Sequence, residues 1–274
     1  MKQKFLLIIL PILILTGCNS YTKKEITQSQ NLPQIIVNEY PSVSSSTVSN
    51  EEATSSSIED ESSLSEDCVV ALSDSVNPDR TIYKADFFFE PLSDTIKSRI
   101  YGLSYKTDCT VPYEDLRYLN VLYCDFNGQT QIGELICNKS IAQDLVEIFY
   151  ELYQANYPIE KIKLIDEYQA DDDLSCLDNN TSCFNYRTVS GSTKLSKHAL
   201  GRAIDMNPFY NPYVTYPGGI EKISPIESTA YADRSADFIG KIDESDLCYQ
   251  LFTAHGFTWG GNWNTLKDYQ HFQK

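Results

Sequence analysis

Residues 80–274 predict an α+β fold, a small antiparallel sheet with flanking helices, and three observations carry that prediction. Leu119–Phe126 and Thr130–Cys137 are β-rich runs around Asn127-Gly128, the strongest short-range hairpin signal. A helical apolar period follows at once in Ile141, Leu145, Ile148, Phe149 and Leu152. The strand-helix-strand rhythm of a parallel sheet is missing, and no internal repeat is visible.

The chain before this domain has a different character. Lys2 and Lys4 precede an apolar run from Phe5 to Leu15 that is too short to span a bilayer and ends in Leu15-Thr16-Gly17-Cys18. Residues 1–17 therefore predict an export leader. The ending resembles the lipobox of bacterial lipoproteins, which implies that Cys18 is lipidated and holds the mature chain on the outer face of the cytoplasmic membrane, facing the cell wall. Residues 18–79 predict a disordered tether. From Ser42 to Asp67, 20 of 26 residues are Ser, Thr, Asp or Glu, with no aromatic, so the stretch cannot bury enough apolar surface to offset chain entropy. A coil of that length reaches about 40 Å on average, with a contour of about 200 Å.

Within the domain, Ser140 and Gln143 predict a capping box for the helix, which ends as Pro158 approaches. Ile159–Ile165 reads as a strand and Asp166–Ser182 as an acidic loop. A second helix is expected over Asp243–Ala254, with Gly256 just past its end, and short strands from Phe257 and over Tyr269–Phe272.

The net charge is −16, which argues against a nucleic-acid partner. Leaving out Cys18, seven cysteines remain, an odd number for an oxidising location. Cys124 and Cys137 do not stand opposite each other about the turn; Cys176 and Cys183, close in sequence and bracketing a loop, are the preferred bridge. No Cys-x-x-Cys spacing points to a thiolate zinc site.

The chemistry concentrates in two segments that hold two of the three histidines: Ser196-Lys197-His198-Ala199-Leu200-Gly201-Arg202-Ala203-Ile204-Asp205 and Asp268-Tyr269-Gln270-His271. A catalytic zinc needs three protein ligands and one open position, and His198, Asp205 and His271 form a suitable set for one zinc ion. Gly201 and Ala203 are small enough to let the first two ligands approach each other. Asp268, three residues before His271, would face away from it in a regular strand, so the chain must bend between them if Asp268 is to act as general base. Arg187, in a local basic stretch with Lys194, Lys197 and Arg202, can hold a substrate carboxylate or stabilise an oxyanion. His255, at the expected end of a helix, reads as structural. Trp259 and Trp263 read as core or pocket wall, and Tyr210 or Tyr213 as candidates for the cleft.

These residues resemble the VanY-like zinc D-alanyl-D-alanine carboxypeptidases, a family that includes L-alanyl-D-glutamate endopeptidases. Ser-x-His-x-x-Gly-x-Ala-x-Asp is met by Ser196, His198, Gly201, Ala203 and Asp205. Chance gives such a match on the order of once in ten thousand chains of this length. Asp268 with His271, Arg187, Asn207-Pro208, Trp259-Gly260-Gly261 and His271-Phe272 extend the similarity over Tyr118–Lys274, on the endopeptidase-type side. The resemblance implies a peptidase for peptidoglycan stem peptides, with Asp268 and Arg187 catalytic and Ser196 at the substrate. Two other functions stay open: removal of a terminal D-alanine, and a non-catalytic zinc-containing wall-binding module like the Hedgehog signalling domain. Asp268 and Arg187, which metal binding alone does not need, favour the enzyme.

Overall fold

The computed structural model describes residues 77–189 and 191–274. The leader, Cys18 and the tether up to residue 76 lie outside the described residues. In chain order the elements are β1 (Thr81–Lys84), β2 (Phe87–Pro91), α1 (Asp94–Ile100), β3 (Leu116–Cys124), β4 (Thr130–Asn138), α2 (Ala142–Gln154), β5 (Lys161–Ile162), α3 (Asp172–Leu177) and β6 (Asn180–Thr181). Then follow β7 (Ala203–Asp205), β8 (Tyr213–Thr215), β9 (Lys222–Ser224), α4 (Leu247–Ala254), β10 (Thr258–Trp259), β11 (Lys267–Asp268) and β12 (His271–Gln273). Helices and antiparallel sheets together make the α+β class, and β5–β6 is a parallel pair.

The largest sheet runs β1-β2-β3-β4. β3 and β4 pair from Leu116 opposite Asn138 to Cys124 opposite Thr130, as the hairpin signal predicts. Asp125 shapes the turn: its carboxylate accepts from the Asn127 and Gln129 N–H groups at 2.9 and 2.8 Å, and Gly128 takes the positive φ of 76° that the turn requires. Cys124 and Cys137 face Thr130 and Arg117, not each other.

α2 covers this sheet with Ala142, Leu145, Val146, Ile148, Phe149 and Leu152, all buried at helical spacing. They share one core with Phe87, Leu119, Val121 and Leu135. The expected capping box is absent. Ser140 Oγ donates to Asn138 Oδ1 at 2.8 Å and Gln143 Nε2 to Glu147 Oε1 at 2.7 Å, while the cap residue is Ile141, which has no side-chain oxygen to offer. Ile141 is buried at 1 % exposure, so apolar packing sets where the helix begins.

Later strands are short. The strand expected over Ile159–Ile165 narrows to β5, since Ile165–Tyr168 winds into a 3-10 turn. The expected acidic loop holds α3 and β6, and Asp171 caps α3 by accepting from Leu174 N–H at 3.1 Å. A run of acids thus supplies a helix cap. α4 starts later than expected, because Asp246 caps it at 2.9 Å from Cys248 N–H while Asp243 binds Ser245. The Cys176–Cys183 bridge is not formed: both thiols are free, Cys176 Sγ donating to Gln270 Oε1 at 3.6 Å and Cys183 Sγ to Gly201 O at 3.7 Å. No helix among the described residues is long and apolar enough to cross a membrane.

Candidate metal centre and its surroundings

Two small sheets, β10-β12-β7 and β11-β8-β9, assemble the site. In the first, His271 on β12 stands directly opposite Asp205 on β7, so cross-strand pairing alone makes them neighbours. His198 enters from a 3-10 turn, His198–Leu200, that closes at Gly201 with φ 64°. Gly201 is small for a reason other than ligand approach: a Cβ there would lie 2.7 Å from the backbone nitrogen of Asn138, whose N–H donates to Gly201 O at 2.8 Å. The glycine seats the turn on the end of β4.

The three residues converge closely. His198 Nε2 and His271 Nδ1 are 3.1 Å apart, His271 Nδ1 and Asp205 Oδ1 3.0 Å, and His198 Nε2 and Asp205 Oδ2 3.2 Å. Each offers one ligand atom, all within 4.8 Å of one another. Tetrahedral zinc with bonds of about 2.0–2.1 Å sets ligand atoms about 3.3 Å apart, so the donors fit such an ion in type and spacing. His198 is 3 % and His271 7 % exposed. Burial opposes charge on Asp205, yet the two imidazoles hold its carboxyl far below the usual range. Burial likewise opposes charge on His271, but the Asp205 carboxylate raises its pKa to about 9. Two ring nitrogens and a carboxylate at this distance call for shared positive charge, from protons or from a cation.

Asp268 lies on β11, in the other sheet, and Tyr269-Gln270 carries the chain across to β12. The chain thus bends between Asp268 and His271 instead of running on as one strand. Burial first, then Asp205, raises its pKa to about 6, against the pull of His271. Its Oδ1 is buried and has no hydrogen-bond partner. Gly260 makes room, since a Cβ there would lie 2.6 Å from Asp268 O, 2.8 Å from Asp268 Cβ and 3.3 Å from His271 Cβ.

The other sequence candidates divide. Arg187 forms an ion pair through Nε with Asp172 on α3, whose other oxygen accepts from Asn185 Nδ2 at 2.9 Å. Asn185 N–H donates to His198 O at 3.2 Å and Ser196 N–H to Arg187 O at 3.0 Å, so the arginine segment runs beside His198. Ser196 is 5 % exposed, and its Oγ accepts from His198 N–H at 3.2 Å. Its hydroxyl is engaged in holding the His198 turn. Lys194 and Lys197 are exposed and Arg202 half-buried. His255 caps α4 and meets Asp144 at 3.3 Å, the structural reading. Trp259 is core, while half-buried Trp263 lies 5.4 Å from the His271 ring. Tyr213 pairs with Asp268 across β8 and β11, whereas Tyr210 packs into an aromatic group with Tyr231 at 4.6 Å.

Three contributors were not singled out from the sequence. Arg234 donates to Tyr210 O, Asn211 Oδ1 and Ile242 O at 3.0, 2.9 and 2.7 Å and lies 4.4 Å over the Tyr269 ring, tying the excursion between β7 and α4 to the strand crossing. Asp172 engages Arg187. Gln273, two residues beyond His271 and so on the same strand face, places Oε1 3.2 Å from His271 Nε2. Only the last had a signal in the sequence, that spacing of two.

Neither a curated protein nor a solved structure matches the chain. Residues 190–274 match a family model described as D-alanyl-D-alanine carboxypeptidase, a stretch that contains His198, Asp205, Asp268 and His271 and begins just after Arg187. By this match the chain is a metallopeptidase that acts on peptidoglycan.

Proposed function

We propose that the domain is a zinc peptidase that hydrolyses an internal bond of peptidoglycan stem peptides, of the L-Ala-D-Glu type, with one zinc ion held by His198, Asp205 and His271. The observation that carries the reading is the buried, unpartnered Oδ1 of Asp268 beside a three-ligand cluster. A structural metal site has no use for it, and a hydrolase does: with a pKa near 6, the carboxylate is a competent base toward an attacking water at neutral pH. When bound, zinc supplies Lewis-acid polarisation and a more acidic water. Asp268 takes the proton and returns it to the leaving amine. Arg187, oriented through Nε by Asp172, turns the rest of its guanidinium to the developing oxyanion. Export and anchoring through Cys18 would put this chemistry at the wall.

A second reading, removal of a terminal D-alanine, is favoured by the description of the matched family. Mass spectrometry of purified stem peptides after digestion separates the two. New N-terminal D-Glu supports the endopeptidase, and loss of one terminal alanine supports the carboxypeptidase. Intact peptides with zinc bound would leave only a wall-binding module.

A further inference from the structure

The two histidines of the cluster are held in opposite ways. His198 Nδ1 donates to the backbone carbonyl of Cys183 at 2.6 Å, which leaves Nε2 for a metal. His271 is reversed: Nδ1 faces Asp205 and His198, and Nε2 points to Gln273 Oε1 at 3.2 Å. An amide oxygen only accepts, so the proton of His271 must sit on Nε2 for this bond to form, and Nδ1 keeps its lone pair. Both residues lie on β12, whose register sets His271 opposite Asp205 and Gln273 opposite Ala203. Ala203 has no side chain long enough to compete for the amide.

We propose that Gln273 is the positioning residue of the centre: it selects the Nε2-protonated form of His271 and so presents Nδ1 to zinc. His198 owes the same service to a backbone group that no substitution removes, so the side chain of Gln273 is where the centre can be weakened without touching a ligand. The inference rests on the zinc reading above. Outer partners of this kind are typically worth ten- to a hundredfold in metal affinity.

The test is zinc affinity, by competition with a chromophoric chelator, for wild type, Gln273→Leu and Gln273→Glu, each checked for an unchanged circular dichroism spectrum. Gln273→Leu, which loses the acceptor, should bind zinc ten- to a hundredfold more weakly; Gln273→Glu, which keeps one, should bind at least as tightly as wild type. A role in packing alone would weaken both alike, and equal affinity in all three would overturn the inference directly. If wild type itself binds no zinc, the metal reading falls and this inference with it. Should Gln273→Leu not fold, histidine-ring NMR of the zinc-loaded wild type decides. A proton on His271 Nε2 with metal on Nδ1 supports Gln273, and metal on Nε2 overturns it.

Discussion

In the hairpin and its covering helix, two strands of nine residues pair along their full length and six side chains of α2 are buried in a continuous apolar core. Beyond Gly201 no strand exceeds three residues, and position is set by polar groups and clearances. Asn207 Nδ2 donates to Pro158 O at 2.9 Å, Arg234 reaches four acceptors across the excursion, and Gly260 admits Asp268 beside His271. Apolar burial is non-directional and scales with the area removed from water, whereas a hydrogen bond or a bare glycine contact fixes a place to within a few tenths of an ångström. Both regions feed one apolar core, to which the second adds Ile204, Phe252, Trp259 and Phe272, but the fine placement of the site rests on the polar contacts and clearances.

The sharpest way to break that division is at the ligands. Replacing His198, Asp205 or His271 with Ala should cost more zinc affinity than the ten- to hundredfold of an outer partner, while the fold of the hairpin and α2 persists. Elemental analysis showing full zinc in any of the three would contradict it. Phe149→Ala probes the opposite side: a fully buried ring removed from the core should cost about 3–5 kcal/mol of stability, with zinc affinity of the folded fraction unchanged. Chemical denaturation and chelator competition on the same sample read both.

What the sequence made legible follows the same line. The hairpin, α2 and the class could be read because apolar period and a turn dipeptide are local signals. The clustering of His198, Asp205 and His271 could be read because histidines are scarce and lie in a spaced pattern. Less visible were α3, hidden in acids that act as its cap, and the start of α2, which Ile141 sets by packing. The reason for Gly201 was hidden too, since its neighbour Asn138 is remote in sequence. Gln273, Asp172 and Arg234 act through contacts that no single segment encodes.

Smaller effects sharpen the comparison. Arg187→Ala should lower kcat about 10²- to 10³-fold without releasing zinc, and a matching drop in zinc content would make Arg187 part of the scaffold instead. Asp246 gives a pH signature. Burial raises its pKa from 3.8 to about 6 in the fold, so its contribution to stability is complete below the unfolded value and is lost as pH rises through about 6. Asp246→Asn keeps the helix cap without titrating. Relative to that variant, wild type should lose up to about 3 kcal/mol as pH rises from about 4 to about 7, at about 1.4 kcal/mol for each pH unit between the two pKa values. Urea midpoints of the two proteins that stay parallel across that range would rule this contribution out.

In the proposed mechanism a metal cluster and a separate buried carboxylate work together on a peptide bond. Asp268→Asn tests it most directly, with zinc content and turnover of a stem peptide measured on one preparation. Full zinc and a rate about 10²- to 10⁴-fold lower are expected, the usual contribution of a general base. Full zinc with an undiminished rate would contradict it.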